Sequence, residues 1–314
     1  MKIHNLFLST LLLILTLLAG CVAPAAPAAT DAGAAAQPVD SYANANALVD
    51  TAWVAAHLED ETVRLLDIGG NQENYDQGHL PGAIFVNLGA DLTNPEDSTQ
   101  GQILTAEQLT AVMSRLGIEN DDTLVLYDAN RNLLAARAYW VLKYYQHAGD
   151  LHVYNGGSTK WVADGQALKT EAPTLETSQY VAGEADPAIR TTGDYVMEHL
   201  DDPSTVLCDT RGPGEFAGTD VRSAQGGHIP GATNVDWTIT VNEDGTFKDA
   251  AFLSDLYLKA GFTPDKEVIT YCQTGVRGAH TWFVLKELLG YPNVRNYDGS
   301  WEEWGNDESK PVQS

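Results

Sequence analysis

Residues 78–83 read GHLPGA and residues 227–232 read GHIPGA, and what surrounds this recurrence decides the fold. Upstream, Leu65-Leu66-Asp67-Ile68 answers Val206-Leu207-Cys208-Asp209-Thr210, with Asp67 and Asp209 142 positions apart. The Gly-His pairs are 149 apart, so the second copy carries a seven-residue insertion between these blocks. Downstream, Leu124-Val125-Leu126-Tyr127 answers Val268-Ile269-Thr270-Tyr271 at an offset of 144. Tyr154-Asn155-Gly156 with Trp161 answers Tyr297-Asp298-Gly299 with Trp304 at 143. Four blocks kept in one order mean two homologous domains.

Within each copy, short aliphatic or β-branched runs (VRLLDI, AIFVNL, TLVLYD; then TVLCDT, ATNVDW, EVITYC) alternate with segments of helical spacing. Thr105 to Gly117 offers a capping threonine and an early glutamate, and His280 to Gly290 ends in a glycine. The pattern is α/β: in each domain a mainly parallel sheet flanked by helices, with functional loops following the C-terminal ends of the strands. Cys272, directly after VITY, occupies such a position.

The apolar run from Leu6 to Leu18 follows a lysine near the start and is too short for an ordinary membrane span. With Leu18-Ala19-Gly20-Cys21 it resembles a bacterial lipoprotein signal, implying cleavage after residue 20 and lipidation of Cys21. The expected location is the bacterial cell envelope, membrane-anchored and facing away from the cytoplasm. Residues 21–42, rich in Ala and Pro, read as a tether. The expected domains span 43–175 and 176–314. With 18 basic and 43 acidic residues the formal net charge is −25, which argues against nucleic-acid binding. An anionic substrate then depends on a few local arginines or backbone N–H groups.

Of three cysteines, Cys21 is assigned to lipid, Cys208 sits inside the apolar run VLCDT, and Cys272 opens Cys272-Gln273-Thr274-Gly275-Val276-Arg277. No disulfide is expected. The Cys272 segment joins strand to helix, so its N–H groups can curl round the sulfur while the helix dipole favours negative charge. Gly275 permits a tight turn, and Arg277 adds positive charge for a thiolate or an anionic donor.

These motifs resemble the rhodanese family over nearly all of the chain after the tether. The resemblance is carried by the six-residue loop Cys272 to Arg277, by Asp209-Thr210-Arg211, by Gly227 to Ala232 and by Tyr297 to Trp304. It implies a thiosulfate sulfurtransferase with two rhodanese-like domains, the C-terminal one active. Cys272 then receives sulfur as a persulfide, and Arg211, Arg277, Gln273, Thr274, Gly275 and Val276 form the substrate site. Related phosphatases need a C-x5-R loop, whereas four residues separate Cys272 from Arg277. Arg277 favours thiosulfate. Thr274, able to imitate the serine of mercaptopyruvate-specific relatives, keeps 3-mercaptopyruvate as the second reading. The expected partners are a small sulfur donor, a thiophilic acceptor such as cyanide or a thiol, and the membrane through the anchor. No metal or organic cofactor is expected, because no Cys/His ligand cluster or phosphate-cradling motif appears.

In the first copy Asp128 follows Tyr127, and a carboxylate cannot form a persulfide, so this domain reads as structural and inactive. A different site built from Asp128 with Arg131 or Arg137 is the alternative. His79 and His228, one in each copy, read as turn-stabilising, Cys208 as a core residue, and the tryptophans of Tyr297 to Trp304 as packing residues, with a pocket wall as the alternative for Trp301. A rival class is an envelope lipoprotein that binds a sulfur-containing anion or a protein partner without catalysis, against which the intact Cys272, Gly275 and Arg277 argue.

Overall fold

Each copy lays its strands in the same order. The first sheet contains β1 (Leu48–Val49), β2 (Val63–Gly69), β3 (Ile84–Asn87), β4 (Thr123–Tyr127) and β5 (Leu151–Tyr154), ordered β1-β5-β4-β2-β3. The second contains β6 (Arg190–Thr191), β7 (Thr205–Asp209), β8 (Thr233–Asn234), β9 (Glu267–Tyr271) and β10 (Val294–Tyr297), ordered β6-β10-β9-β7-β8. All pairings within the two sheets are parallel. This is a computed structural model, and it describes residues 39–314; Cys21, the expected cleavage site and most of the tether lie outside the described residues.

Alternation along the central strands sorts side chains between two faces. Leu124 and Leu126 enter a core shared by both halves, while Val125 and Tyr127 enter an outer cluster with Tyr154 and Trp161. Val268 joins the shared core, and Ile269 and Tyr271 pack outside with Tyr297, Trp301 and Trp304. Burying each aliphatic side chain contributes about 1.5–3 kcal/mol. Register places Asp67 opposite Tyr127 and Asp209 opposite Tyr271, so in each copy an Asp lies beside the Tyr that ends the neighbouring central strand.

The helices Leu133–Tyr144 and Val276–Phe283 follow those tyrosines and pack on each other between the halves, with Tyr139 edge-on to Phe283 at 4.9 Å. The helix expected from His280 to Gly290 begins earlier, at Val276, because Gly275 turns the chain with φ +79°. It continues through a wider π turn, Val284–Leu288, before Gly290 at φ +71°. Thr105 caps the helix Ala106–Arg115, and the reciprocal partner is Gln108.

Residues 166–186 run along the first half as a strap. Lys169 bridges to His79, Ser178 N–H donates to Ser114 O at 2.9 Å, and Gly183 N–H to Tyr145 O at 2.9 Å. The expected boundary at 175/176 falls inside this strap. Among the described residues no helix is long and apolar enough to cross a membrane.

Candidate active site

Cys272 is fully buried immediately beyond β9. Its N–H donates to Ser300 Oγ at 3.1 Å, its carbonyl accepts from Trp301 N–H at 3.0 Å, and Gln273 O accepts from Glu302 N–H at 2.8 Å. The loop is thus stapled to the helix Ser300–Trp304. Ser300 holds a left-handed backbone, φ +51°, and its hydroxyl donates to Tyr297 O at 2.8 Å. A side chain on Gly275 would lie 2.7 Å from Asp298 Oδ1, so glycine is required there by space as well as by φ.

Among the described residues, none accepts a hydrogen bond from the backbone N–H groups of Gln273 to Arg277. The first half shows what such a loop gathers. There Asp128, at the position of Cys272, is buried and accepts from the N–H groups of Asn130 (2.6 Å), Asn132 (3.0 Å), Leu134 (2.7 Å) and Ala135 (2.9 Å). Burial pushes its carboxyl up, against those four donors. Asp128 does not join Arg137, which pairs with Asp298 Oδ1 at 2.6 Å.

The two candidate anion-binding arginines are both engaged by carboxylates. Arg277 forms a bidentate pair with buried Glu215, at 2.6 and 2.9 Å. Burial opposes its charge, but Glu215 and the Cys272 sulfur outweigh that and hold the guanidinium more firmly protonated. Burial alone would raise the Glu215 carboxyl; Arg277, the Gly212 N–H and Arg222 hold it below its ordinary range. Arg211, expected to fix the donor anion, is buried against Asp209 at 2.6 Å, donates to Gly227 O at 2.7 Å and lies 4.5 Å from the Trp301 ring. That arrangement makes Arg211 a strut between strand end and turn, and Trp301 packs on it. Gln273 donates to Ser223 Oγ (3.0 Å), which ties the loop to the lengthened stretch between Phe216 and Gly227, and to Glu302 Oε2 (3.1 Å) on the helix Ser300–Trp304. Thr274 and Val276 are partly buried on the same loop.

Both histidines serve the turns. His79 Nδ1 meets Tyr75 O at 2.9 Å and its ring stacks on Tyr75; His228 Nδ1 meets Phe216 O at 2.8 Å and stacks on Phe216. Cys208 is buried, which pushes its thiol up. Ser300, Glu215 and Asp298 were not singled out from sequence as site residues, although the recurring Tyr-x-Gly block pointed to the segment holding two of them.

Residues 50–164 and 192–307 each match the family model described as "Rhodanese-like domain". The chain belongs to the rhodanese-like family. It is 42% identical over 282 residues to "Sulfur carrier protein TtuD" of Thermus thermophilus, covering 86% of this chain and 98% of that one. It is 40% identical to "Putative thiosulfate sulfurtransferase" of Saccharopolyspora erythraea, covering 85% and 96% respectively. Among solved structures it resembles an anaerobic ergothioneine biosynthesis enzyme from Chlorobium limicola, with TM-score 0.79 and 26% identity over 88% of this chain and 72% of that one. A second structure, titled as EanB with a cysteine persulfide and ergothioneine, aligns with TM-score 0.79, 26% identity and the same coverage. This rhodanese-like chain is therefore a tandem member of the sulfurtransferase family.

Proposed function

We propose that this rhodanese-like protein moves the sulfane sulfur of thiosulfate to a thiophilic acceptor through a persulfide on Cys272. The observation that carries this reading is the pair of equivalent loops. Where Asp128 stands, four N–H groups converge on a negative side chain; where Cys272 stands, the N–H groups of the corresponding loop have no protein acceptor among the described residues and are left for an anion. The Cys272 thiolate attacks the outer sulfur of thiosulfate, the new S–S bond forms as the old one breaks, and sulfite leaves with the bonding electron pair. Cyanide or a small thiol then attacks the outer sulfur of the persulfide and restores the thiolate. Burial of Cys272 favours a compact donor. The names of the relatives, a sulfur carrier and a thiosulfate sulfurtransferase, agree with both half-reactions.

The second donor, 3-mercaptopyruvate, is favoured by one observation: Arg211 and Arg277 are each paired with a carboxylate, which weakens the case for a dianion. A side-by-side assay with both donors and cyanide as acceptor separates them. A higher kcat/KM for thiosulfate is expected; preference for mercaptopyruvate would reverse the donor assignment while leaving Cys272 in place. Anchoring through a lipid on Cys21, with the protein in the cell envelope, belongs to the same proposal. Detergent partitioning of cell-made protein, lost in Cys21→Ala, is the expected result, and wild type recovered without lipid would reject it.

A further inference from the structure

The domain without a thiol reaches into the sulfur-accepting loop of the other. Arg137, on the helix Leu133–Tyr144 of the first half, is buried and donates to Gly101 O at 3.0 Å and to Gly275 O at 3.4 Å, and it pairs with Asp298 Oδ1 at 2.6 Å. Asp298 Oδ2 is held from the other side by Arg190 at 3.1 Å and by Ile103 N–H at 3.3 Å. Gly101, at φ +92°, lets the first half press against Thr274: a side chain there would lie 2.8 Å from Thr274 Cβ and 3.0 Å from its carbonyl oxygen. The Thr274–Gly275 turn therefore sits between Gly101 and the Arg137–Asp298 pair.

We propose that Arg137 is a positioning residue for the Cys272 loop, supplied across the domain interface. The peptide unit is planar and trans, so the Gly275 carbonyl and the Val276 N–H point in opposite directions. Gly275 O accepts from Ala279 N–H at 2.9 Å in the first helical turn, from Asn296 Nδ2 at 3.0 Å and from Arg137 at 3.4 Å. The helical bond sets the carbonyl along the helix axis, and the two side chains hold it from the interface side, which aims the Val276 N–H away from the interface. The role rests on the sulfur-transfer reading only for its consequence in turnover, because the geometry concerns the anion-holding capacity of the loop.

The test compares full-length wild type, Arg137→Lys, Arg137→Met and Asn155→Ala. Asn155→Ala loosens the interface at the opposite loop, where Asn155 Oδ1 accepts from Phe247 N–H at 2.9 Å. Three readouts are taken: denaturation midpoint, thiosulfate turnover, and the ratio of Cys272 alkylation rates with anionic iodoacetate and neutral iodoacetamide. Lysine keeps a charge for Asp298 but loses the planar fork that donates to both Gly101 O and Gly275 O. Arg137→Lys is therefore expected to fold with a near-wild-type midpoint, to lower the iodoacetate-to-iodoacetamide ratio several-fold, and to lower kcat/KM about tenfold. Asn155→Ala should leave ratio and turnover unchanged. The proposal is overturned if Arg137→Lys keeps the wild-type ratio, or if Asn155→Ala lowers it equally. Arg137→Met, even if poorly folded, leaves the lysine comparison intact. A wild type that forms no persulfide, with the ratio still falling in Arg137→Lys, would reject sulfur transfer and retain the positioning role.

Discussion

Both halves end a central strand with a tyrosine and send the chain into a helix, yet one loop closes on its own carboxylate and the other keeps a thiol. Asp128 fills its loop with a permanent acceptor for four N–H groups; Cys272 stands in the equivalent loop with those groups unmatched by protein acceptors among the described residues. The flanking residues differ in step. The second helical residue is Leu134 in one half and Arg277 in the other, and the left-handed residue behind the loop is Gly157 in one and Ser300 in the other. The strand-end pair is Asp67 with Gly69, or Asp209 with Arg211. On the proposed function, an anion-holding loop becomes a group-transfer site by exchanging its filler and adding supports around it.

The largest effect should come from exchanging the fillers. Cys272→Ser is expected to abolish turnover with the fold intact, and thiosulfate should add about 32 Da, one sulfur, to the Cys272 peptide of wild type alone. Asp128→Cys should remain inert, since Leu134 and Gly157 provide neither charge nor hydroxyl. Sulfur loading of Asp128→Cys at a rate near that of Cys272 would break the comparison, because the loop alone would then suffice.

Asp67 sharpens it through pH. Without an arginine partner, its carboxyl is raised to about 6, first by burial and then by Asp128, despite the hydrogen bond from Tyr127 at 2.8 Å. Below about pH 4 both folded and unfolded states hold the proton and nothing is lost. As pH rises through 4 to 6 the unfolded chain releases it first, so the fold loses on the order of 2–3 kcal/mol, fully present above 6. Asp67→Asn should therefore raise the urea midpoint at pH 7 and not at pH 4. Asp209→Asn should lower it at pH 7, because Arg211 is left buried without its carboxylate. A gain in Asp67→Asn that is the same at both pH values would remove the assignment.

What the sequence disclosed of this architecture was local. The repeat, the strand-loop-helix around Cys272 and the need for Gly275 follow from apolar alternation and from neighbours within a few residues. The Arg211–Asp209 pair was also within reach, since residues two apart at a strand end share a face. Glu215 and Arg277 lie 62 residues apart, and Arg137 and Gly275 lie 138 apart. Those pairings exist only after two sheets and two helices have packed, and no spacing in the chain encodes them. The same holds for the start of the helix at Val276, fixed by a backbone conformation that apolar periodicity does not report.

A smaller effect is expected from giving the second loop the leucine of the first. Arg277→Leu removes one charged fork, a loss of about 1.5–3 kcal/mol, and should lower kcat/KM for thiosulfate at least about tenfold. Part of that loss is the cost of leaving Glu215 buried with Arg222 at 3.4 Å and the Gly212 N–H at 3.2 Å in place of its bidentate partner. Adding Glu215→Gln separates the two: recovery of stability without recovery of turnover is expected, and full recovery of both would make Arg277 a structural residue only.

Ser300→Gly should change least in stability and still be informative. Ser300 is buried in the left-handed region at φ +51°, and the first half places Gly157 at φ +55° in the equivalent position. Relieving a non-glycine residue of that conformation gains about 1 kcal/mol. The substitution also removes the hydroxyl that accepts from Cys272 N–H and donates to Tyr297 O, a loss of about 0.5–1.5 kcal/mol per bond. The added backbone freedom of glycine costs about 0.5–1 kcal/mol more, so the net destabilisation is about 0.5–3 kcal/mol. Turnover has no compensating gain, because the bond to the Cys272 N–H fixes the peptide that carries the proposed nucleophile. A drop in thiosulfate kcat/KM of several-fold with only a small shift of the denaturation midpoint is the expected result. If turnover follows stability and both hardly move, the serine is retained for packing, and the difference between Gly157 and Ser300 has no part in distinguishing the loop that accepts sulfur from the one that holds a carboxylate.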